Sequence, residues 1–441
     1  MQQQLAAGDD NAASAESVQC RRILTKITWR LLPFMLLLYI VSYLDRINVS
    51  FAGLQMNQEL GFNESVFGFG AGIFFIGYFM FGIPSNLMVQ KIGARRWIST
   101  IMVIWGIVSV GMAFVKTAMV FYIMRFILGV AEAGFFPGMI LYLTYWFPQR
   151  EHGLAVARFM TAIPIAGVLG GLISWKVLAM NGVLGLPGWK LLFLITGSPA
   201  IFLGIIVFYY LPDGPLTAAW LCPEERQILM AKLQEHKALD PHAVSPTAAF
   251  RDSRVWLFAL IYFSFTLGMY GFQLWLPQII HGFGGLTDSA TALLSAVPAL
   301  FQALGMIIIA QNSDRTGERR WHVFGAATLA SLGLVCSAYV HDPVLSLIAL
   351  SVAAFGTWGM VGPFWALPTA CLPAASSAAG IALINSVGNL GGFVGPSLVG
   401  LIKSHTSNFT YALLAMAFSL FLGAVLSVTA CKPPVNVSPD K

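Results

Sequence analysis

Twelve long apolar segments run through this chain and strongly restrict the folds that it can adopt. An α-helix needs about 20 mostly apolar residues to cross about 30 Å of hydrocarbon. Only 10% of the residues are charged and 57% are hydrophobic, so too few polar side chains remain to cover the surface of a large soluble enzyme. The sequence therefore predicts an all-α polytopic membrane protein. We predict spans 1 to 12 at 30–53, 66–90, 98–115, 118–146, 154–178, 190–211, 255–279, 289–311, 322–340, 343–369, 376–402 and 408–430.

Lysine and arginine residues cluster in the connections on one side of these spans. They precede span 1 and follow spans 2, 4 and 8, whereas connections 54–65 and 280–288 contain neither residue type. Basic residues in short connections stay on the cytoplasmic side of a membrane. The pattern and the even number of spans place both termini in the cytoplasm. Topology thus accounts for the net charge of +6, and we expect no binding to nucleic acid.

A basic heptapeptide occurs twice, at equivalent places in the two halves of the chain. KIGARRW at 91–97 returns as RTGERRW at 315–321, a shift of 224 residues (315 − 91). Recurrence over half the length predicts two similar six-helix bundles, as in transporters built from parallel repeats. We predict a cytoplasmic N-terminal tail (1–29, without regular structure over 1–20), an N-terminal bundle (30–211), a cytoplasmic linker (212–254), a C-terminal bundle (255–430) and a cytoplasmic C-terminal tail (431–441).

The two heptapeptides and the twelve spans resemble the major facilitator superfamily, in which the loop between spans 2 and 3 carries G-x-x-x-D-[RK]-x-G-x-[RK]-[RK]. In the first copy Gln90 replaces the acidic residue, so the usual charge contact of this loop is not assured there. Glycine permits a tight turn, and arginine can bind helix-end carbonyls and carboxylates. The predicted gating loops contain Lys91, Gly93, Arg95 and Arg96, and Asp314, Arg315, Gly317, Arg319 and Arg320.

An acid and a base, Asp45 and Arg46, lie side by side within span 1. Fourteen uncharged residues, Leu31–Leu44, precede them, and a helix of that length covers about 21 Å. Span 4 contains Arg125 and Glu132, two turns apart on one face. Charges at such depth cost about 3 kcal/mol each on insertion scales.

These four charges admit a structural and a functional interpretation. An ion-paired cluster could simply join spans 1 and 4, although buried pairs stabilise proteins poorly compared with apolar packing. In the functional interpretation, the planar guanidinium of Arg46 binds an anionic group of a substrate. Asp45 and Glu132 bind and release protons, and Arg125 keeps one of them ionised in the empty state. A substrate bound at Arg46 weakens the attraction between Arg46 and Asp45, which favours protonation of Asp45.

Three motifs resemble the anion:cation symporter family, whose members include permeases for tartrate, sugar acids and hydroxyphenylacetate. They are LDRxN in span 1, R-x-x-x-G-x-x-E-A-x-x-x-P in span 4 and GNxGGxxGP in span 11. The resemblance implies proton-coupled uptake across the inner membrane. It also implies that Asp45 and Glu132 are protonation sites and that Arg46 anchors a carboxylate.

Several uncharged side chains could line a path for substrate. Tyr43, Tyr78, Gln273 and Asn389 are candidate substrate ligands, although each could instead make a hydrogen bond between helices. Trp365 could form a wall of the cavity or serve only as packing.

The sequence favours a proton symporter that imports a small organic anion, a sugar acid or tartrate-like carboxylate, by alternating access. The alternatives are a symporter of aromatic acids resembling hydroxyphenylacetate and, less favoured, a drug/proton antiporter. Span 5 lacks the Gly-Pro pair typical of such exporters. We expect a monomer in contact with lipid, with no metal and no cofactor, because no His cluster or His/Cys set occurs at membrane depth.

Overall fold

The computed structural model describes residues 2–238, 250–372 and 374–430, and none of these residues forms a strand. The predicted C-terminal tail, 431–441, lies outside the described residues, as does part of the predicted linker, 239–249. The all-α prediction is confirmed.

Twelve helical segments are long and apolar enough to cross a membrane, and each overlaps one predicted span. In order, they are Val18–Leu60, Glu64–Ile92, Ala94–Phe114, Ala118–Thr144, Glu151–Ala179, Gly188–Tyr210, Ser253–His281, Asp288–Thr316, Arg320–Tyr339, Pro343–Cys371, Ala379–Thr406 and Thr410–Thr429. All twelve predicted spans are thereby confirmed, and the numbers 1 to 12 are kept for them.

Four of the spans are interrupted, at equivalent places in the two halves. Span 4 consists of helices Ala118–Glu132 and Phe135–Thr144, and span 10 of Pro343–Gly359 and Val361–Cys371. Span 5 divides into Gln149–Met160 and Ala162–Ala179, and span 11 into Ala374–Asn389 and Gly391–Thr406.

Proline explains the breaks in spans 4 and 10. Pro137 and Pro363 stand third in the second helix of each span. Neither has a backbone N–H to donate to the carbonyl four residues earlier, which lies at the break. The same local chemistry therefore shapes both halves of the chain.

The helix of span 1 begins well before the predicted start of the span. It runs from Gln2 to Leu60, so the prediction of a tail without regular structure over 1–20 is wrong. This segment is rich in Ala and Gln, which favour helix, and the acidic residues that suggested a tail do not prevent it.

The described part of the linker packs against the N-terminal bundle. It contains a helix at Pro223–Ala238, and Trp220 stacks on Trp146 of the bundle with ring centroids 5.6 Å apart. Lys26 Nζ lies 2.8 Å from Glu225 Oε2, and its hydrogen bond lowers the pKa of the Glu225 carboxyl. This part of the linker is thus attached to the first helix.

The bundles meet through spans 2 and 11, spans 5 and 8, and spans 1 and 7. We call the side of the molecule that carries the turns at Gly93 and Gly317 the linker side, and the opposite side the distal side. Glycine lets backbones touch near the distal side. A Cβ on Gly68 would lie 2.5 Å from the Pro396 carbonyl oxygen, and one on Gly171 would lie 2.9 Å from that of Ala292.

Two hydrogen bonds between the bundles also lie on the distal side. Ser65 Oγ donates to Ser404 Oγ at 2.8 Å, and Ser289 Oγ donates to the carbonyl oxygen of Trp175 at 2.7 Å. A third contact, between Tyr43 and Gln273, lies at mid-depth. Among the described residues no hydrogen bond joins the bundles on the linker side, so the two bundles are closed against each other distally.

Both predicted loop glycines adopt left-handed backbone conformations, with φ of +91° at Gly93 and +68° at Gly317. The missing acid of the first loop is supplied from elsewhere, because Asp213, just beyond span 6, accepts from Arg95 N at 3.2 Å. Its Oδ2 also lies 3.5 Å from Arg95 Nε. The first loop therefore has a carboxylate partner although Gln90 is not acidic, and this partner comes from the end of span 6.

The second loop uses its own acid. Arg319 Nη1 donates to Asp314 Oδ1, and Arg320 Nη1 donates to the carbonyl oxygen of Val428 at 3.2 Å. The side chains of Lys91, Arg96 and Arg315 make no ion pair within the described residues.

We predict that Gly93→Ala destabilises the protein by about 1–3 kcal/mol, because L-residues are strained at this φ. The new Cβ would also lie 2.9 Å from Asp213 Oδ1. Gly317→Asn is the matched control, since asparagine tolerates the left-handed region and no atom lies within 4 Å of a Cβ there. Thermal unfolding in detergent compares the two, and equal losses would contradict the prediction.

We also predict that Ser65→Cys combined with Ser404→Cys forms a disulfide across the distal side under mild oxidation, because the two Oγ atoms lie 2.8 Å apart. Labelling with a maleimide polymer before and after reduction measures the bond. The two single variants serve as controls, and thiols that stay fully reactive in the double variant would contradict distal closure.

Candidate substrate and proton site

Only four charged side chains in the described part of the chain are buried, and all four belong to the N-terminal bundle. They are Asp45, Arg46, Arg125 and Glu132, the same four that the sequence places at membrane depth. The C-terminal bundle contributes amides, hydroxyls and aromatic rings instead.

Arg46 and Glu132 form the central ion pair of the site. Arg46 Nη2 lies 3.2 Å from Glu132 Oε2, and 10% of the arginine side chain is exposed whereas the glutamate is fully buried. The guanidinium also lies 5.3 Å from the ring centroid of Phe74 and 5.2 Å from that of Tyr78. Arg46 Nε and Glu132 Oε1 have no hydrogen-bond partner in the described part of the chain. The pair therefore has unused donor and acceptor capacity.

Asp45 faces away from this pair, although it is the neighbour of Arg46. Successive residues of a helix point about 100° apart, and Asp45 is directed towards spans 3 and 6. Its Oδ1 accepts from Ser109 Oγ at 2.8 Å and from Asn48 Nδ2 at 3.3 Å, and Asn48 also donates to Thr196 Oγ1 at 2.9 Å. Asp45 is therefore held by neutral groups, and the structure pairs Arg46 with Glu132.

Arg125 reaches span 2 and makes no ion pair in the described structure. Its Nε donates to the carbonyl oxygen of Gly70 at 3.4 Å and its Nη2 to that of Ala71 at 3.2 Å. The guanidinium lies 5.0 Å from the ring centroid of Phe74. In this conformation Arg125 joins spans 2 and 4 and contacts neither carboxylate directly.

The uncharged candidates divide into two groups. The Tyr43 hydroxyl lies 3.0 Å from Gln273 Oε1 and 2.8 Å from Gln273 Nε2, so these two candidates meet across the bundle interface. Tyr78 packs against Arg46, as described above. Asn389 donates to the carbonyl oxygen of Asn385 at 2.8 Å, within its own span.

Trp365 belongs to an aromatic cluster of the C-terminal bundle. Its ring lies 4.8 Å from that of Tyr262 in span 7, and Tyr262 stacks on Phe364 at 5.3 Å. Neither Trp365 nor Asn389 makes a direct contact with Arg46 in the described structure, so these two candidates lie on the opposite bundle without touching the ion pair.

The partners of Asp45 escaped sequence reasoning. Ser109 and Thr196 bond to the aspartate network, but serine and threonine are common in membrane helices, where they usually bond to the backbone of their own helix. Nothing in their local sequence marks them. A buried amide in span 8, Gln302, was also overlooked, although an amide in the middle of so apolar a span was a usable signal.

A family model described as Major Facilitator Superfamily matches residues 35–396. The chain belongs to this superfamily. It is a transporter and not an enzyme, and the resemblance to the anion:cation symporter branch is confirmed.

Relatives and solved structures agree with this membership. A protein of Agrobacterium vitis named "Putative tartrate transporter" is 48% identical over 92% of this chain and 91% of its own length. A "Quinolone resistance transporter" of Acinetobacter baumannii is 41% identical over 92% and 94%. A solved bacterial homolog of the human lysosomal transporter Spinster, inward-facing and occupied, has a TM-score of 0.75 at 15% identity and covers 91% of this chain and 96% of its own.

We predict that substitutions of Arg46 and Glu132 have strongly non-additive effects on the stability of the protein. Replacing one member leaves an unpaired buried charge, which costs about 3–5 kcal/mol, whereas replacing both with apolar residues of similar size is often neutral. Arg46→Met and Glu132→Leu should therefore each lower the melting temperature in detergent more than the double variant does. Arg158→Met, at an exposed arginine, is the control, and additive losses would contradict the coupling.

Proposed function

We propose that this chain is a proton-coupled symporter that imports a small hydroxylated carboxylate across the inner membrane by alternating access. Its membership of the superfamily and the name of the 48% identical relative support an organic anion as substrate. The observation that carries the proposal is the Arg46–Glu132 pair, because a guanidinium with an unpaired Nε contacts a fully buried carboxylate.

Coupling follows from competition for that guanidinium. In the empty site Glu132 neutralises Arg46. A substrate carboxylate binds the planar guanidinium and displaces Glu132, which is then a buried carboxylate without its cation. Burial disfavours the charged form of an acid, so Glu132 takes up a proton. Anion and proton thereby enter the site together, and the competition involves Glu132 more directly than Asp45.

Asp45 is the second proposed proton site. It is fully buried, its Oδ1 accepts from two neutral donors, and its Oδ2 has no partner in the described part of the chain. Protonation of Oδ2 changes the hydrogen bonds in the network that links spans 1, 3 and 6 through Ser109 and Thr196. Arg125 is held by span 2 carbonyls and acts on both carboxylates through its charge.

The C-terminal bundle supplies neutral ligands. Gln273 bonds to Tyr43 when the site is empty, and both groups turn to the substrate when it arrives. Tyr78 borders the carboxylate end at Arg46. Asn389 and Trp365 approach the substrate from the C-terminal bundle as the bundles close on the linker side.

Basic residues on the linker side favour its assignment to the cytoplasm, with both termini there. Distal closure then corresponds to an inward-facing state. The loops around Gly93 and Gly317 lie at the mouth of the open side and gate it, and the protein functions as a monomer.

Two alternative functions each have one supporting observation. The 41% identical relative is named for quinolone resistance, and the aromatic cluster around Tyr262 and Trp365 suits an aromatic acid. Aromatic-acid symport and drug/proton antiport are therefore the alternatives, and the direction of transport distinguishes the two.

We predict that proteoliposomes containing the protein accumulate labelled L-tartrate or D-galactonate when the outside is acidified, in preference to 4-hydroxyphenylacetate or a fluoroquinolone. Arg46→Ala abolishes uptake because the anion loses its cation. Asp45→Asn and Glu132→Gln retain substrate exchange but lose accumulation, because they cannot carry a proton. Arg46→Lys, which keeps the charge without the planar fork, is the matched control and retains part of the uptake.

Accumulation that persists in both Asp45→Asn and Glu132→Gln would contradict the proton assignment. Extrusion of a fluoroquinolone against its gradient, with no carboxylate uptake, would establish the antiport alternative.

A further inference from the structure

A small cavity lies between the two bundles, beside the contact of Tyr43 with Gln273. Spans 1, 5, 7, 8 and 10 enclose it, and its polar lining comes from Ser50, Gln273, Ser295 and Gln302. Its volume is about 30 Å³, which is room for about two water-sized groups. The cavity is thus large enough for a hydroxyl-bearing carbon and too small for a whole substrate.

Gln302 gives this cavity an unused hydrogen-bond donor. The side chain is 5% exposed, and its Nε2 has no partner in the described part of the chain. An unpaired buried donor is costly, and such groups are usually satisfied by water or ligand. Gly167 of span 5 faces this side chain without a side chain of its own, and a Cβ there would lie 3.3 Å from Ala299 Cβ and 3.9 Å from Gln302 Oε1.

Most of the cavity lining is apolar, and its few polar groups are uncharged. None of its lining residues is Lys, Arg, His, Asp or Glu. The hydroxyls of Ser50 and Ser295 donate to carbonyl oxygens of their own helices, at 2.6 Å and 2.8 Å, so their oxygens remain as acceptors. One amide donor and two hydroxyl acceptors suit an alcohol, which both donates and accepts. A second carboxylate would find no cation there.

The cavity continues the site around Arg46. Ile47, the neighbour of Arg46, lines it, as does Trp358. The Trp358 ring lies 6.2 Å from that of Tyr43, and the Tyr43 ring centroid lies 5.9 Å from the Arg46 guanidinium. The rings of Tyr43 and Trp358 therefore connect the surroundings of Arg46 to the cavity.

We propose that this cavity is a second subsite that binds the uncharged, hydroxyl-bearing far end of the substrate, with Gln302 as the specificity-determining residue. The inference rests on the proposed function. It narrows the substrate class to hydroxylated acids that are bound with a single negative charge. A dicarboxylate would bind with its second carboxyl protonated.

Binding measurements on the detergent-solubilised full chain test the subsite without relying on transport. Isothermal titration with threonate (one carboxylate, three hydroxyls), butyrate (its deoxy analogue) and tartrate gives three dissociation constants per protein. In the wild type we expect threonate to bind at least tenfold more tightly than butyrate. Gln302→Leu reduces that ratio to about threefold or less and leaves the butyrate constant unchanged, which also reports that the variant is folded.

Two further variants sharpen the test. Gln311→Leu, at an exposed glutamine of the same span, is the matched control and keeps the wild-type ratio. Gln302→Lys places a cation in the subsite and shifts the preference from threonate towards tartrate, which a purely structural role for Gln302 would not do.

The outcomes distinguish failure of the subsite from failure of the proposed function. If no carboxylate binds the wild type, the proposed function fails. If carboxylates bind but Gln302→Leu leaves the threonate-to-butyrate ratio unchanged, or weakens both acids equally, the subsite is overturned while the proposed function stands.

Discussion

The ion pair of Arg46 with Glu132 is the interaction on which the site depends. A guanidinium and a carboxylate in a poorly hydrated interior are each costly alone, and pairing offsets part of that cost. The pair also has spare capacity, because one arginine nitrogen and one glutamate oxygen have no partner among the described residues. In the proposed mechanism, an arriving anion competes with Glu132 without first breaking a saturated network, and this competition links anion binding to proton binding.

The two bundles divide the remaining work. The N-terminal bundle holds every buried charge of the described chain, and the C-terminal bundle presents neutral amides and aromatic rings. Glycines such as Gly68 and Gly171 bring the backbones into contact near the distal side, so few side chains would have to separate in the proposed rocking motion. The contact of Tyr43 with Gln273 lies between this glycine-rich seam and the ion pair. In the proposed mechanism this contact connects closure of the bundles to occupancy of the site.

Much of this arrangement is readable from the sequence, since hydropathy defines the spans and the repeated heptapeptide defines the two halves. Depth in an apolar span likewise marks Asp45, Arg46, Arg125 and Glu132. Their pairing is less accessible, because side-chain direction depends on helix rotation and on the break that follows Glu132. The sequence analysis predicted that Arg46 holds Asp45, whereas the helix points these neighbours about 100° apart and Arg46 pairs with Glu132. The contact of Asp213 with the first loop, which lacks an acidic residue at Gln90, joins residues far apart in the sequence. Nothing in the local sequence indicates it.

Proton uptake during substrate binding tests the competition at Arg46 most directly. The purified protein in weakly buffered detergent solution near neutral pH is titrated with a hydroxylated carboxylate while a dye reports the pH. Competition predicts about one proton taken up for each anion bound by the wild type, and none by Glu132→Gln at saturating substrate. Saturable binding to the wild type with no change in proton concentration would contradict it.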